Sequence, residues 1–188
     1  MKKAAVLFLL ATAGVCLHAQ TLSWDIKFLK GSDKVSVPVS QIIRMEDGED
    51  FLLTITPAAD CFGYIVYYDS NREVSVLYNA PIKQGSDVYL GPFEVEDPPG
   101  TETLYVIISL DRQTKLENLI QAFNRNQSRQ NANNLYREVV SLQNAASGLG
   151  EPASVFIASG GTARGDSKEY ATRFSEKKMY VRAISIRH

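Results

Sequence analysis

The glycine-rich stretch at residues 158–168 is the part of the chain that comes closest to a known chemical motif. Gly160 and Gly165 follow a short apolar run, and glycines at this spacing after a strand are typical of loops that bind nucleotide phosphates. Such loops need a lysine directly after the second glycine, whereas Asp166 stands there. A carboxylate repels phosphate, so the sequence predicts a connecting loop and no nucleotide cofactor.

The same loop contains Arg164, Gly165 and Asp166, which place a guanidinium and a carboxylate at opposite ends of a short segment. Adhesive ligands offer this arrangement to integrins, so the tripeptide is a candidate binding site in an exported protein. A tripeptide also arises by chance. Arg164 would then pair with a nearby carboxylate, and the glycines would supply positive φ.

Four carboxylates cluster in the segment 46–50 around Gly48. Calcium takes oxygen ligands from acidic loops, but the alternating ligand spacing and terminal glutamate of a calcium loop are missing. The sequence favours a solvated turn between strands and predicts no metal site. Hydrolysis of glycosides by paired carboxylates stays open as an alternative, although no spacing singles out a pair.

Nucleophilic catalysis needs a base beside the nucleophile, and this chain offers few candidates for either role. Its cysteines are Cys16 and Cys61, and its histidines are His18 and His188. Cys16 and His18 lie in a predicted leader. We therefore expect no catalytic centre and no His/Cys metal site, and we expect Cys61 to be a small buried hydrophobe.

Aromatic and amide side chains supply the other candidates for binding. Four tyrosines fall on one predicted hairpin: Tyr64, Tyr67, Tyr68 and Tyr78. Such rings bind sugars when exposed, but on adjacent strands they more often pack as cross-strand pairs. Residues 124–134 are rich in Asn and Gln. Tyr67, Asn126 and Asn131 are therefore taken as candidate binding residues.

The elements that must position these residues are mainly strands. Alternation of apolar and polar residues predicts strands at 22–28, 51–57, 61–70, 74–78, 87–90, 93–95, 103–110 and 179–187. The segment 61–70 is apolar on both faces, as in a central strand covered on each side. Turn residues between short strands predict a mainly β, antiparallel domain of immunoglobulin-like or β-sandwich type.

A helical excursion at about 113–148 interrupts the strands before the last one. Apolar residues from Leu116 to Phe123 recur at helical spacing, and Thr114 and Glu117 have the spacing of a capping box. After the polar segment 124–134 the helical face resumes and ends at glycines 148 and 150. We expect the apolar stripe to pack on the sheet.

Residues 1–19 have the pattern of a secretory signal peptide. Lys2 and Lys3 precede a short apolar stretch, and Ala19 closes a plausible cleavage site. We expect a mature chain, 20–188, that forms one domain in the periplasm or outside the cell. Lipid attachment through Cys16 is less favoured, because a β-branched residue precedes it.

Composition restricts the partners. The chain has 20 basic and 21 acidic residues, and 45% of its 188 residues are hydrophobic, which is ordinary for a globular protein. No excess of positive charge is present to bind nucleic acid or anionic lipid.

A Tyr-rich strand leading to Asp69, followed later by Pro98, Pro99 and Gly100 before an apolar strand, is the most specific pattern within residues 48–110. In this pattern the segment resembles the DUF4384 family of bacterial domains. The resemblance implies a β-sandwich-like module of envelope or secreted proteins and supplies no catalytic residues.

Together these patterns predict a non-catalytic binding or assembly module of the bacterial cell envelope that docks a protein or a cell-wall partner. We expect no cofactor and no transmembrane segment in the mature chain. A small secreted carboxylate-based hydrolase and an adhesin using residues 164–166 are the alternatives. Recognition is expected at an exposed sheet edge or at 124–134, because excursions from a rigid scaffold often carry binding.

Overall fold

The structure is a computed structural model that describes residues 22–146, 154–159, 168–176 and 178–188. The predicted leader and Arg164, Gly165 and Asp166 lie outside these ranges. The described elements are β1 (Leu22–Lys30), β2 (Val35–Val37), β3 (Ile43–Arg44), β4 (Asp50–Pro57), β5 (Cys61–Tyr68), β6 (Val74–Ile82), β7 (Val88–Glu94), β8 (Thr101–Ser109), α1 (Thr114–Arg125), α2 (Arg129–Ala146), β9 (Ser154–Ser159), β10 (Lys168–Glu176) and β11 (Met179–Arg187).

The strands form two sheets. The first sheet has the order β7-β4-β1-β10-β9, with β2 paired to the end of β1, and the second has the order β3-β11-β8-β5-β6. Every pair is antiparallel except β3 with β11. The predicted mainly β, sandwich-like architecture is confirmed.

The core between the sheets is built from alternate residues of the strands. In β1 every second side chain is buried, from Leu22 to Phe28, because one face of the strand is turned inward. Phe28 stacks on Phe51 of β4 with ring centroids 4.9 Å apart. Each fully buried large apolar side chain contributes about 1.5–3 kcal/mol.

A third layer covers the far face of the second sheet. Tyr64 and Ile107 point away from the sandwich core and pack with Leu116 of α1 and with Leu135 and Val139 of α2. This arrangement explains why β5 and β8 are apolar on both faces. It confirms the expected central strand and the packing of the helical stripe on the sheet.

The predicted strands at 87–90 and 93–95 are a single strand, β7, which bulges against β4. Gly91 permits the bulge with a φ of +107°, a value that favours glycine. A Cβ atom there would lie 2.7 Å from the carbonyl oxygen of Phe51. The prediction of two strands was wrong because glycine and proline were taken as the end of a strand.

The predicted capping box is also wrong. The N-cap of α1 is Gln113 and not Thr114, and it makes no side-chain capping bond. The Glu117 carboxylate bonds to Tyr64 and Arg112. The polar segment 124–134 is mostly helical, since α2 begins at Arg129. Two further strands, β9 and β10, lie between the helices and β11. Among the described helices, none is long and apolar enough to cross a membrane.

Candidate functional site

The structure does not bring the predicted binding residues together. Tyr67 points into the core between the sheets, whereas Asn126 and Asn131 lie at the turn between the helices, on the far side of the second sheet. The Nδ2 group of Asn131 donates to the carbonyl oxygens of Asn126, at 2.8 Å, and Ala122, at 3.3 Å. This amide therefore closes the turn.

The acidic segment is a turn held by its own backbone and by ion pairs. The N–H of Glu46 donates to Glu49 Oε2 at 2.9 Å. Lys30 lies 3.1 Å from Glu49, and Lys34 lies 3.1 Å from Asp50. Within the described residues no group of three or more His, Cys, Asp or Glu side chains is arranged to hold a metal ion.

Cys61 begins β5 and is 2% exposed, so the expected buried cysteine is confirmed. Burial, with a smaller effect of the neighbouring Asp60 carboxylate, raises the pKa of the Cys61 thiol to about 11. A thiol with so high a pKa is a poor nucleophile near neutral pH.

A buried polar cluster lies on the inner face of the second sheet, at the edge where β5 and β11 end and β8 begins. The hydroxyl of Tyr67 donates to Oε2 of Glu102, which is 3% exposed. His188 Nε2 lies 3.3 Å from Glu102 Oε1, within ion-pair distance, although neither imidazole nitrogen is aligned for a hydrogen bond. Burial and the Glu102 carboxylate raise the pKa of Tyr67. Because the side chains of Glu102 and His188 are buried, this Tyr67–Glu102–His188 cluster holds strands together.

An open groove of about 700 Å³ lies where the edges of the two sheets meet. The turn between β1 and β2 forms one wall, and β3 with the acidic turn forms the other. Val35 and Ile42 expose their side chains in this region. Of the charged groups that line it, Lys30 and Glu49 are paired, and Arg44 has no carboxylate partner among the described residues.

A second groove, of about 620 Å³, lies between α1 and the edge strand β6, and we call it the amide groove. Four exposed primary amides line it: Asn79, Asn118, Gln121 and Asn124. No hydrogen bond joins these amides to another described residue. Phe62 and Pro81 supply apolar surface, and Arg112 and Arg125 supply charge.

One end of the amide groove is rigid because Glu117 is bonded from two sides. Arg112 Nη2 lies 2.6 Å from Glu117 Oε2, and the hydroxyl of Tyr64 donates to Oε1 at 2.9 Å. The hydroxyl also accepts the N–H of Gln113, at 3.0 Å, at the start of α1. The bond from Arg112, reinforced by the one from Tyr64, lowers the pKa of Glu117.

Burial raises the pKa of Tyr64 to about 12. The guanidinium carbon of Arg112 lies 5.9 Å from the centre of the Phe62 ring, within cation–π range. These contacts fix the first turn of α1 on β5, so the amides of α1 are presented from a fixed helix.

Sequence reasoning missed most of this groove. Of its four amides, only Asn124 falls in the segment 124–134 that the amide content singled out. Asn118 and Gln121 are three residues apart on one side of α1, which a helical projection would have displayed. Asn79 could not be added without knowing that β6 runs beside α1.

No model of a known protein family matches the chain, and neither a curated protein nor a solved structure matches it.

Proposed function

We propose that this chain is a non-catalytic binding module of an exported bacterial envelope protein and that the amide groove binds an uncharged, hydroxyl-rich ligand, the glycan of a cell-wall polymer. The observation that carries the proposal is the convergence of four unpaired, exposed amides from β6 and α1 on one groove. Membership of the DUF4384 family is part of the same proposal.

Primary amides suit such a ligand because each offers two donors and an acceptor. A sugar hydroxyl is both donor and acceptor, so it can bond to either side of an amide. Glu117 neutralises Arg112, so Arg125 is the one charged side chain of the groove lining that has no ion-pair partner among the described residues. Phe62 and Pro81 give the apolar surface on which the C–H face of a sugar ring packs.

A peptide added as a strand is a less suitable ligand for this groove. β6 is an edge strand, and edge strands can recruit extended peptides through free backbone groups. Pro81, however, has no N–H, and proline is one of the residues that block pairing at a sheet edge. Recognition by side chains is therefore favoured over recognition by a β-ladder.

The carboxyl groups support binding over hydrolysis. Glycosidases need a general acid whose pKa is raised. The pKa values of the Asp60, Asp87 and Glu117 carboxyls are lowered, mainly by hydrogen bonds from Lys83, Thr56 and Arg112 respectively. Groups of this kind stay ionised and serve as fixed acceptors.

The proposal is tested by binding of purified 20–188 chain to defined cell-wall oligosaccharides, measured by calorimetry. In the double variant Gln121→Ala/Asn124→Ala we expect affinity to fall roughly tenfold or more, because each lost hydrogen bond contributes about 0.5–1.5 kcal/mol. The matched control is Gln130→Ala/Asn134→Ala, which removes two amides of α2 that bond to each other at 3.0 Å.

Equal loss in both double variants, or wild-type affinity in the groove variant, would contradict the proposal. If the chain binds the peptide part of the polymer without its sugars, the ligand is a peptide and not a glycan. Export is tested separately by sequencing the amino terminus of protein from fractionated cells, where we expect Gln20 first in the envelope fraction.

A further inference from the structure

Two arginines lie side by side at the β3 edge of the second sheet. β3 pairs in parallel with β11, so Ile43 is opposite Ile186 and Arg44 is opposite Arg187. Both isoleucines are buried in the core between the sheets. Because successive side chains of a strand point to opposite faces, both arginines point away from that core, and both are exposed.

No described carboxylate lies within ion-pair distance of either arginine, although Arg44 shares the lining of the open groove with Glu46 and Glu49. Neither guanidinium has an ion pair or hydrogen bond to another described side chain. The next strand, β8, places Thr101 in register with Arg187. The adjacent acid on β8, Glu102, points to the opposite face, where it bonds to Tyr67.

Like charges on directly paired positions of neighbouring strands repel each other and destabilise a sheet. An arrangement that keeps two guanidiniums in register is therefore one that an anion would stabilise. Guanidinium groups have five N–H donors in a planar fork, which matches the oxygens of carboxylate and phosphate. The hydroxyl of Thr101, at the end of the same row, is a further donor.

We propose that Arg44, Arg187 and Thr101 form a binding site for an oxyanion carried by a partner, either a phosphate or a carboxylate. β3 and β6 are the opposite edges of the second sheet. The oxyanion site is therefore separate from the amide groove, and it can be present or absent whatever the amide groove binds.

The test is a titration of the 20–188 chain with inorganic phosphate and, in a second arm, with acetate, both at constant ionic strength. Backbone amide shifts of β3, β8 and β11 report binding by NMR. We expect saturable shifts at these strands in at least one arm, and the arm that saturates at lower concentration identifies the oxyanion.

Arg187→Gln and Arg44→Gln should each weaken this binding at least tenfold, whereas Arg187→Lys should weaken it less because it keeps the charge but not the fork. The matched control is Arg137→Gln, an exposed arginine of α2, which removes the same charge elsewhere and should leave binding unchanged. Equal weakening by the control, or shifts that never saturate, would overturn the proposal.

A melting curve provides a second measurement that does not depend on the ligand. Since Arg187→Gln removes the repulsion between paired guanidiniums, its melting temperature should equal or exceed that of the wild type without added anion. Phosphate or acetate should raise the melting temperature of the wild type more than that of the variant. A variant that melts clearly lower without anion would overturn the argument from repulsion.

Discussion

Replacement of Tyr67 by phenylalanine removes one hydroxyl group from the buried Tyr67–Glu102–His188 cluster and leaves its ring in place. The hydroxyl is the donor to Oε2 of Glu102. After the change, that oxygen stays in the interior with no donor from β5, and His188 remains 3.3 Å from the other oxygen.

The expected cost follows from the burial of Glu102. A buried acceptor that loses its partner costs about 1–3 kcal/mol, and at 3% exposure Glu102 has little access to water as a substitute. The ring still fills its space, so no cavity adds to the cost. We therefore expect the free energy of unfolding to fall by about 2 kcal/mol, a large part of the usual stability of a domain.

Urea unfolding at neutral pH, followed by circular dichroism, measures this difference. The matched control is Tyr89→Phe, which removes a hydroxyl that donates to Asp87 at 2.8 Å from a residue that is 72% exposed. Because water can replace the bond there, we expect the control to change stability by less than about 0.5 kcal/mol.

A Tyr67→Phe variant no less stable than the Tyr89→Phe control would refute the reasoning. It would mean that Glu102 finds another donor or reaches water. A double-mutant cycle with Glu102→Gln identifies the pairwise contribution, since the effect of Tyr67→Phe should shrink when the carboxyl group is absent.

Three further outcomes are expected. Burial raises the pKa of Tyr64 from 10.0 to about 12 in the folded chain. The protonated hydroxyl therefore contributes fully to the free energy of unfolding below pH 10, and this contribution is lost between pH 10 and pH 12. A free energy of unfolding, measured with urea, that stays constant over this range would contradict the prediction. Gly91→Ala should lower the free energy of unfolding by roughly 3 kcal/mol or more, because of the positive φ and a backbone clash. The control Gly85→Ala, with φ of +70° and open space around it, should lower it by about 1 kcal/mol. Equal melting temperatures of the two variants would show that the bulge relaxes. Leu135→Ala should cost about 2–5 kcal/mol, measured by urea unfolding, because this side chain of α2 is fully buried against the second sheet. A cost below about 1 kcal/mol would mean that the helix layer packs loosely.

The strands with one buried face were predictable, because alternation records which side chains point inward. β1 and β11 have bounds that match or nearly match the predicted ones. β2 and β3 contain three and two residues, too few to show a period. β10 received no strand prediction, and its position depends on pairing with β1.

The sites were less predictable than the fold because their members come from distant parts of the chain. Asn79 and Gln121 share a groove only because α1 is fixed beside β6. Arg44 and Arg187 are neighbours only because a parallel pair joins the first quarter of the chain to its last residues. Single-sequence patterns carry no information on such pairings.

The pairing of β1 with β10 and the position of β11 between β3 and β8 have a consequence for biosynthesis. Neither sheet can be completed while residues 168–187 are still inside the ribosome, because β10 and β11 are interior strands of the two sheets. Contacts between segments so far apart in sequence also make folding slow. An export pathway that accepts only unfolded substrates would have time to engage such a chain before its β-sheets close.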